Sequence, residues 1–419
     1  MHVKTMLAAL RGVTAYKDVL TQPVMEAAVR LLTCSAQGDG LGGLEAYTDL
    51  FYQLRAERQP GLGHWLGEAL RWSEGPYPML AERGGMDPAL EQAAKLDISA
   101  FELLASVDCD KWLAHLGKFL DSDYQGVLTS LPRWRSGVPF SFEALTGAYR
   151  REGAGQFARY RAFVWEHGAL VPVAHPDSPS SRQLLGYDEQ RAEVERNTRA
   201  LVEGRYVNNV LLYGESGTGK SATVKHLLTL PGMEELRLIE ADKADLGGLP
   251  ALIRRLDGRR QKFIVFIDDL TFDRDDPTYS VLKTILEGGV ERRPQNVAVY
   301  ATSNRRHLVR QTISERAGDE MDRSETIREK TSLADRFGVR VLFQGLDKAE
   351  FLALVDMLAE QHGVELGREE LHRQAVAWER LHGAQTPRTA LQFILSLAMK
   401  PVAFPPFPIE RLKDLAGEP

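Results

Sequence analysis

The chain has 419 residues, of which 43% are hydrophobic and 26% are charged, and its formal net charge is −6. This length suffices for two or three domains, each with its own core. The acidic balance gives no overall attraction to nucleic acid, and no apolar stretch is long enough to cross a bilayer. The first apolar run is too short for a signal peptide, and the two cysteines lack metal spacing. We therefore expect a cytoplasmic protein without membrane segments.

The first part of the chain predicts mostly helices, because apolar residues recur there at helical spacing. We expect a helical N-terminal domain of unknown function over residues 1–170, followed by a Pro- and Ser-rich linker over 171–182. Trp134, between two arginines, is more typical of a half-buried packing residue than of a base-stacking site. The predicted helical segments are 24–32, 44–58, 98–107 and 112–120.

Beyond the linker, strands and helices alternate, which predicts a parallel, doubly wound αβα sheet over residues 183–345. The predicted strands are 209–213, 237–240, 263–267, 297–301 and 339–343. Helical patterns at 348–362, 369–381 and 387–399 predict a small helical lid over 346–400, and we expect an irregular tail over 401–419. A basic cluster before the third strand indicates a solvated helix end rather than a nucleic-acid site: Arg254, Arg255, Arg259, Arg260 and Lys262.

The strongest motif is a phosphate-binding loop between the first of these strands and a helix. Its residues are Gly214, Glu215, Ser216, Gly217, Thr218, Gly219, Lys220 and Ser221. Glycines allow backbone N–H groups to cradle the β- and γ-phosphates of a nucleotide. Lys220 is expected to reach the β/γ oxygens, and the Ser221 hydroxyl to complete a Mg²⁺ shell. The motif therefore predicts a protein that binds a nucleoside triphosphate.

An acid pair, Asp268 and Asp269, follows the buried strand at 263–267. Asp268, at the carboxyl end of the strand, is placed to hold Mg²⁺ directly or through water. Asp269 is expected to face the γ-phosphate and to orient or deprotonate the attacking water.

Three further polar residues follow in chain order. Asn304 closely follows the strand at 297–301 and is placed to hold the attacking water. Arg336 precedes the last strand. If it reaches across a subunit boundary, it would stabilise charge on the transferring phosphoryl group. The alternative is a surface ion pair with Asp335. Arg388 lies in the first turn of a predicted lid helix, directly after Pro387 at the first helical position. This start of the helix directs Arg388 toward the phosphates.

This ordered set resembles the AAA+ ATPases, and within them a bacterial family known as domain of unknown function 815. The resemblance covers residues 182–400. The segments that carry it are Leu185-Gly186-Tyr187, Asn197-Thr198, 208–212, 268–270, 300–308 and 329–338.

Carried over by motif position, the resemblance implies ATP and Mg²⁺ as cofactors. It implies that Lys220 and Ser221 form the Walker A pair and that Asp268 and Asp269 form Walker B. Asn304 would be the first sensor, Arg336 the arginine finger and Arg388 the second sensor. The segment Leu185-Gly186-Tyr187 would line the adenine pocket.

The sequence departs from this family pattern at three places. Glu215-Ser216 stands where the family has a basic residue, and so adds negative charge near the phosphates. Asp269 replaces the glutamate of most AAA+ motors, and its shorter reach favours slow turnover. Pro387 stands where the family has glycine, which the start of a helix accommodates.

Three functions are compatible with these features. The first is an AAA+ ATPase that forms a homo-oligomer, either a ring such as a hexamer or an open assembly, and remodels an unknown protein or nucleic acid. The second is a slow-turnover nucleotide-gated assembly or binding switch, and the third is a P-loop kinase. The charged segment 309–329 predicts a solvated insertion more than a substrate-contacting loop.

Overall fold

The computed structural model describes residues 2–271, 277–287, 293–304 and 333–398. The segment 309–329 and the tail at 401–419, about which the sequence makes predictions, lie outside these residues. Among the helices that are described, none combines the length and apolar content needed to cross a bilayer.

The N-terminal part of the chain is helical, as its apolar spacing predicts. Aspartate side chains begin several of these helices by accepting backbone N–H groups; Asp39, for example, accepts from Gly42 at 2.9 Å. The helices are α1 (Val3–Arg11), α2 (Lys17–Leu20), α3 (Pro23–Gln37), α4 (Gly40–Ala56), α5 (Leu62–Arg71), α6 (Pro76–Glu82), α7 (Pro88–Ala105), α8 (Cys109–Leu116), α9 (Gln125–Ser130), α10 (Phe142–Glu152) and α11 (Gly155–Arg159), with a 3-10 turn at Ser122–Tyr124.

The helical region has its own hydrophobic core, in which the large aromatic side chains are buried. Trp134 belongs to this core: it is only 6% exposed, and its ring lies 4.8 Å from that of Tyr47, centroid to centroid. Because the indole faces the interior, it is not a stacking surface for a nucleic-acid base.

The second half of the chain forms a seven-stranded sheet in the order β2-β1-β4-β5-β6-β3-β7. Its strands are β1 (Ala162–Glu166), β2 (Ala169–Val173), β3 (Val210–Gly214), β4 (Leu236–Ala241), β5 (Lys262–Ile267), β6 (Val297–Ser303) and β7 (Val339–Phe343). All pairings are parallel except that of β1 with β2. The predicted α/β fold class is therefore confirmed, and all five predicted strands are present.

Helices cover both faces of the sheet, as a doubly wound architecture requires. They are α12 (Asp188–Val202), α13 (Lys220–His226), α14 (Leu249–Leu256) and α15 (Pro277–Glu287), with 3-10 turns at Ser181–Gln183, Leu227–Thr229 and Lys243–Gly248. Side chains of α12 and α13 pack on one face, and those of α14 and α15 on the other. Successive residues of β5 belong alternately to the two cores, which follows from the two-residue period of a strand.

The hairpin of β1 and β2 corrects the sequence analysis, which predicts no strand here and a linker from residue 171. Residues 171–173 belong to β2, and β1 pairs with β4. The two-residue turn contains His167 and Gly168 with φ of 50° and 77°, the geometry that suits the twist of a tight hairpin. β2 lies on the sheet edge, where only one of its residues is buried, and the apolar run of β1 is short and directly follows helical segments, so the nearby prolines dominate the signal.

Three helices form the lid after β7: α16 (Lys348–Gln361), α17 (Arg368–His382) and α18 (Pro387–Ala398). They share a separate hydrophobic core, against which Leu185 and Leu346 pack. The lid thus touches the segment that precedes α12 as well as the end of the sheet.

The helical region joins the sheet through buried polar contacts around residues 259–261. Arg259 Nε donates to Glu82 Oε1 at 2.8 Å, with side-chain exposures of 4% and 0%. Arg260 N–H donates to the same oxygen at 2.9 Å, and Gln261 Nε2 donates to Glu152 O at 2.9 Å. The prediction of a solvated helix end is therefore wrong for Arg259, whose partner lies far away in the sequence.

Candidate functional site

The phosphate loop connects β3 to α13, as its sequence predicts. Gly214 has φ of 135°, and a Cβ there would stand 2.0 Å from the carbonyl oxygen of Phe343 on the neighbouring strand. Gly217 and Gly219 have φ of 82° and 90°. These left-handed positions favour glycine, because L side chains rarely adopt them. All three glycines are thus required by the backbone path of the loop.

Lys220 is held inside the loop, with 5% of its surface exposed. Its Nζ donates to Gly214 O at 3.1 Å and to Glu215 O at 2.6 Å. Burial lowers the pKa of this ammonium, and the nearby carboxylates of Asp268 and Asp269 act in the opposite direction. The charge is thereby fixed beside the backbone groups expected to hold phosphate.

Three neighbouring strands bring Ser221, Asp268 and Thr302 together at the carboxyl edge of the sheet. Ser221 Oγ donates to Asp268 Oδ1 at 2.6 Å, and Thr302 Oγ1 donates to the same oxygen at 2.5 Å. Mg²⁺ prefers oxygen donors and is usually bound by one or two carboxylates, water and phosphate. The Ser221 hydroxyl and the Asp268 carboxylate are an oxygen pair that fits this ion.

Asp269 turns sharply away from β5, with φ of 49°. Its N–H donates to Thr302 Oγ1 at 2.9 Å, and its Oδ1 accepts from Asn304 Nδ2 at 2.9 Å. The side chains of Asp269 and Asn304 both belong to exposed residues at the wall of a cavity. The acid and the amide that the sequence places at separate strand ends are therefore in direct contact.

The lid brings Arg388 against the phosphate loop. Thr386 precedes α18 and accepts the N–H of Thr389 at 3.3 Å, which is an N-cap contact. Arg388 N–H donates to Gly217 O at 3.3 Å. A Cβ at Gly217 would lie 3.0 Å from Thr386 Oγ1, so the loop glycine also permits this close approach.

These residues line one cavity of about 500 Å³ between the loop, the acid pair and the lid. Its apolar wall residues include Leu184, Leu185 and Leu391, and Arg191 also lies in its wall. The remaining wall residues are Gln183, Ser216, Gly217, Thr218, Gly219, Lys220, Ser221, Ala222, Thr223, Asp268, Asp269, Thr302, Asn304, Pro387 and Arg388.

The segment Leu185-Gly186-Tyr187, expected near adenine, is split by its backbone. Leu185 lines the cavity and packs on the lid core. Gly186, with φ of 67°, accepts from Arg191 through its carbonyl. Tyr187 points elsewhere: its ring lies 5.1 Å from that of Phe343, its hydroxyl donates to Gln344 O at 2.6 Å, and burial raises its pKa to about 12. Leu185 is thus the member of this segment in the cavity wall.

Glu215 occupies a different place from the one its position in the motif suggests. Its N–H donates to Phe343 O at 3.0 Å. Its carboxylate lies against Gly345, where an added Cβ would meet Oε2 at 2.4 Å. The side chain is not among the residues of the cavity wall, although its charge acts against burial, which lowers the pKa of Lys220.

Arg336 is half-buried in the turn before β7, and its N–H donates to Leu333 O at 3.2 Å. In the described part of the chain, the wall of the cavity does not include this residue. The neighbouring Asp335 accepts from Arg340 Nη1 at 2.8 Å. The cavity of a single chain therefore contains the predicted loop, acids, amide and lid arginine, but not Arg336.

Thr302 is a site residue that is not predicted from the sequence. It lies in the polar run that ends β6, but hydroxyl residues at strand ends are common and give no signal by themselves. Only its contacts with both acids distinguish it.

Comparison with known proteins gives one family and a set of solved structures. A family described as protein of unknown function (DUF815) matches residues 158–400. No curated protein matches the chain.

The solved structures that are similar to the chain include several of a Thermotoga maritima protein. The chain is similar to a mutant of RuvB, with 16% identity over 52% of this chain and 63% of that chain and a TM-score of 0.35. A structure of the same protein, titled as a Holliday junction branch migration motor, gives 17% identity, the same coverage and a TM-score of 0.34. The chain thus spans less than two thirds of the length of these structures.

The family match extends over more than half of the chain. The matched residues include the phosphate loop, the acid pair, the strand-end amide and the lid. The protein therefore belongs to the family described as protein of unknown function (DUF815).

Proposed function

We propose that the protein is an ATPase that hydrolyses ATP to ADP and phosphate at the interface between copies of itself. The observation that carries the proposal is the meeting of a loop lysine, a serine–aspartate oxygen pair and an aspartate–asparagine pair in one cavity. Phosphoryl transfer needs positioning and charge stabilisation more than covalent chemistry, and this set supplies both.

Binding of the triphosphate is assigned to the loop and the lid. The loop N–H groups and Lys220 bind the β- and γ-phosphate oxygens, and Arg388 approaches from the lid. Ser221 and Asp268 would hold Mg²⁺, which neutralises charge on the phosphate oxygens when bound. Leu185 and Leu391, which line the same cavity, offer apolar contacts to the base.

The attacking water is assigned to Asp269 and Asn304. Asp269 accepts a proton from the water as its oxygen attacks the γ-phosphorus, and the bond from that phosphorus to the bridging oxygen breaks. Asn304 donates to Asp269 Oδ1 and so fixes the direction of the carboxylate. Its position at the end of β6 also allows it to hold the water.

The reaction is completed by assembly. Arg336 lies outside the cavity of its own chain, so we assign it to the cavity of a neighbouring copy. There it stabilises the negative charge that develops on the transferred phosphoryl group, a contribution worth a factor of about 10³–10⁵ in related enzymes. We propose a ring, such as a hexamer, or an open assembly.

The test compares ATP turnover of the wild type and Arg336→Ala, with mass recorded by light scattering with and without ATP. We expect turnover that rises with assembly and falls at least about 10³-fold in the variant, while ATP binding persists. Lys220→Ala is the matched control and should lose binding itself. An Arg336→Ala protein that turns over ATP at the wild-type rate would contradict the interface mechanism.

A nucleotide-gated switch is the second candidate, favoured by Asp269. A shorter side chain than glutamate places the base farther from the γ-phosphate, which slows hydrolysis. In the same experiment, a switch would bind ATP tightly and change mass with negligible turnover. A P-loop kinase, the third candidate, would act as a monomer and transfer phosphate to an acceptor other than water.

We also propose a localisation for the protein, a division of the chain into domains and a class of partner. We propose a cytoplasmic protein with a helical domain that ends near Arg159, an αβα core that contains the β1–β2 hairpin and residues 183–345, and a lid over 346–400. The ATP cycle would remodel a protein or nucleic acid, with the helical domain as the first place to seek its contact.

A further inference from the structure

Thr302 has a buried hydroxyl that touches both members of the acid pair. The residue is 2% exposed and lies one position before the end of β6. Its Oγ1 donates to Asp268 Oδ1 at 2.5 Å and accepts the N–H of Asp269 at 2.9 Å. Its carbonyl oxygen accepts the N–H of Leu270 at 2.7 Å. One residue of β6 thus holds three successive residues after β5.

The backbone held in this way is a strained one. Asp269 has φ of 49°, in the left-handed region that residues other than glycine rarely adopt. Such conformations persist where surrounding contacts over-determine them, and they concentrate at functional sites. The contacts of Thr302 lie at the N–H of Asp269 itself and of the residue that follows it. They are therefore placed to maintain the turn.

The turn determines where the two carboxylates point. Asp268 faces Ser221, whose Oγ lies 2.6 Å from Oδ1. Asp269 faces Asn304 on the other side. Without the turn, the next side chain of an extended strand would point to the opposite face of the sheet. The turn thus allows successive acids to reach one cavity.

We propose that Thr302 is a positioning residue for the hydrolysis of ATP, which acts by holding Asp268 and Asp269 in place. Its single hydroxyl hydrogen is given to Asp268, so it has none to donate to phosphate or water. It therefore acts through the acids rather than on the nucleotide. The inference rests on the proposed function, but the hydrogen bonds that carry it involve only residues of this chain.

Three variants separate this role from packing. Thr302→Val keeps the shape and removes the hydroxyl, whereas Thr302→Ser keeps the hydroxyl and removes the methyl group. Thr198→Val is the matched control. Thr198 lies on α12 and is fully buried, and its hydroxyl lies 2.8 Å from that of Tyr300, which belongs to β6 as Thr302 does. The midpoint of thermal unfolding is measured for each variant to check that it folds as the wild type does.

Two readouts are measured on the full-length protein. The first is ATP turnover as kcat and KM separately. The second is the affinity for a fluorescent ATP analogue, with excess Mg²⁺ and with a chelator. We expect Thr302→Val to lower kcat about tenfold or more and to reduce the gain in affinity that Mg²⁺ gives, with chelator affinity near the wild-type value. Thr302→Ser should retain most of both, and Thr198→Val should leave both unchanged.

Two results would overturn the role of Thr302. One is a Thr302→Val protein that matches the wild type in kcat and in the Mg²⁺-dependent gain. The other is a Thr302→Ser protein as impaired as Thr302→Val, which would indicate packing. If the wild type itself shows no turnover, the ATPase proposal fails, and the Mg²⁺-dependent affinity still decides whether Thr302 positions Asp268.

Discussion

Gly214 is the residue at which the phosphate loop is most tightly constrained. Its neighbour across the sheet is Phe343, whose carbonyl oxygen leaves no space for a Cβ. The loop residue that follows, Glu215, is fixed to the same oxygen by its N–H at 3.0 Å. The loop is therefore attached to β7 as well as to its own strand, and the position of Lys220 depends on this attachment.

A substitution at Gly214 should therefore affect both stability and binding. We expect Gly214→Ala to reduce the free energy of unfolding by about 2–5 kcal/mol, through the clash and the unfavourable φ. Nucleotide affinity should fall with it, because the loop must shift away from Phe343. Urea unfolding and ATP titration measure the two effects.

Gly126→Ala is the control for this experiment. Gly126 lies in α9, and an added Cβ there would meet nothing within 4 Å. Alanine should be neutral or stabilising in that helix, by up to about 1 kcal/mol. A Gly214→Ala protein as stable as Gly126→Ala would contradict the close approach of the two strands.

At the scale of elements, the junction between α6 and the turn before β5 contains a buried ion pair. Glu82 accepts from Arg259 Nε and from the N–H groups of Arg260 and Ala154. The guanidinium also donates to Ala154 O at 2.5 Å and lies 4.8 Å from the ring centroid of Phe157. The segment from Ala154 to Phe157 thus also contacts the charge pair.

Removal of one charge should be costly here, since it leaves the other buried without its partner. We expect Glu82→Gln to lower the free energy of unfolding by about 3–5 kcal/mol. The double variant Glu82→Gln/Arg259→Met should be less destabilised than the sum of the two single changes, by more than about 1 kcal/mol. Urea unfolding of the four proteins measures this coupling.

A surface pair beside the junction provides the comparison. Arg260 Nη2 donates to Glu235 Oε1 at 2.7 Å, but these side chains are 38% and 40% exposed. Solvent screens such pairs, so Glu235→Gln should leave the midpoint of urea unfolding unchanged within error. Additive single changes at Glu82 and Arg259 would indicate that the two groups do not interact in solution.

At the scale of the whole molecule, the same junction connects the helical region to the sheet through several contacts. Besides the ion pair, Arg237 Nε donates to Phe157 O at 2.5 Å, and the rings of Phe157 and Phe263 lie 4.9 Å apart. Phe157 belongs to the core on one face of the sheet. The contacts lie where β5 begins, opposite the end that carries the acids.

Unfolding should reflect this connection. We expect a single calorimetric transition for the wild type, because neither part can open without exposing the junction. The Glu82→Gln variant should separate the transition into two, or broaden it, as the link weakens. Two well-separated transitions in the wild type would show that the parts are energetically independent.

The sequence predicts those parts of the molecule whose signal lies in contiguous residues. The strands β3 to β7 and the lid helices have strong apolar periodicity, and the phosphate loop has a fixed spacing of glycines and lysine. The meeting of Asp269 with Asn304 also follows from sequence, because parallel strands end at one edge of the sheet. Locally encoded features need no knowledge of distant neighbours.

Tertiary structure decides the features that depend on residues far apart in the chain. The hairpin of β1 and β2 joins the sheet only because β4 pairs with it, and Arg259 is buried only because Glu82 lies opposite. Thr302 meets both acids because β6 lies beside β5. Composition, motif spacing and periodicity therefore determined the fold class and the candidate site, whereas packing between distant segments decided which polar groups are buried, paired and aimed at the cavity.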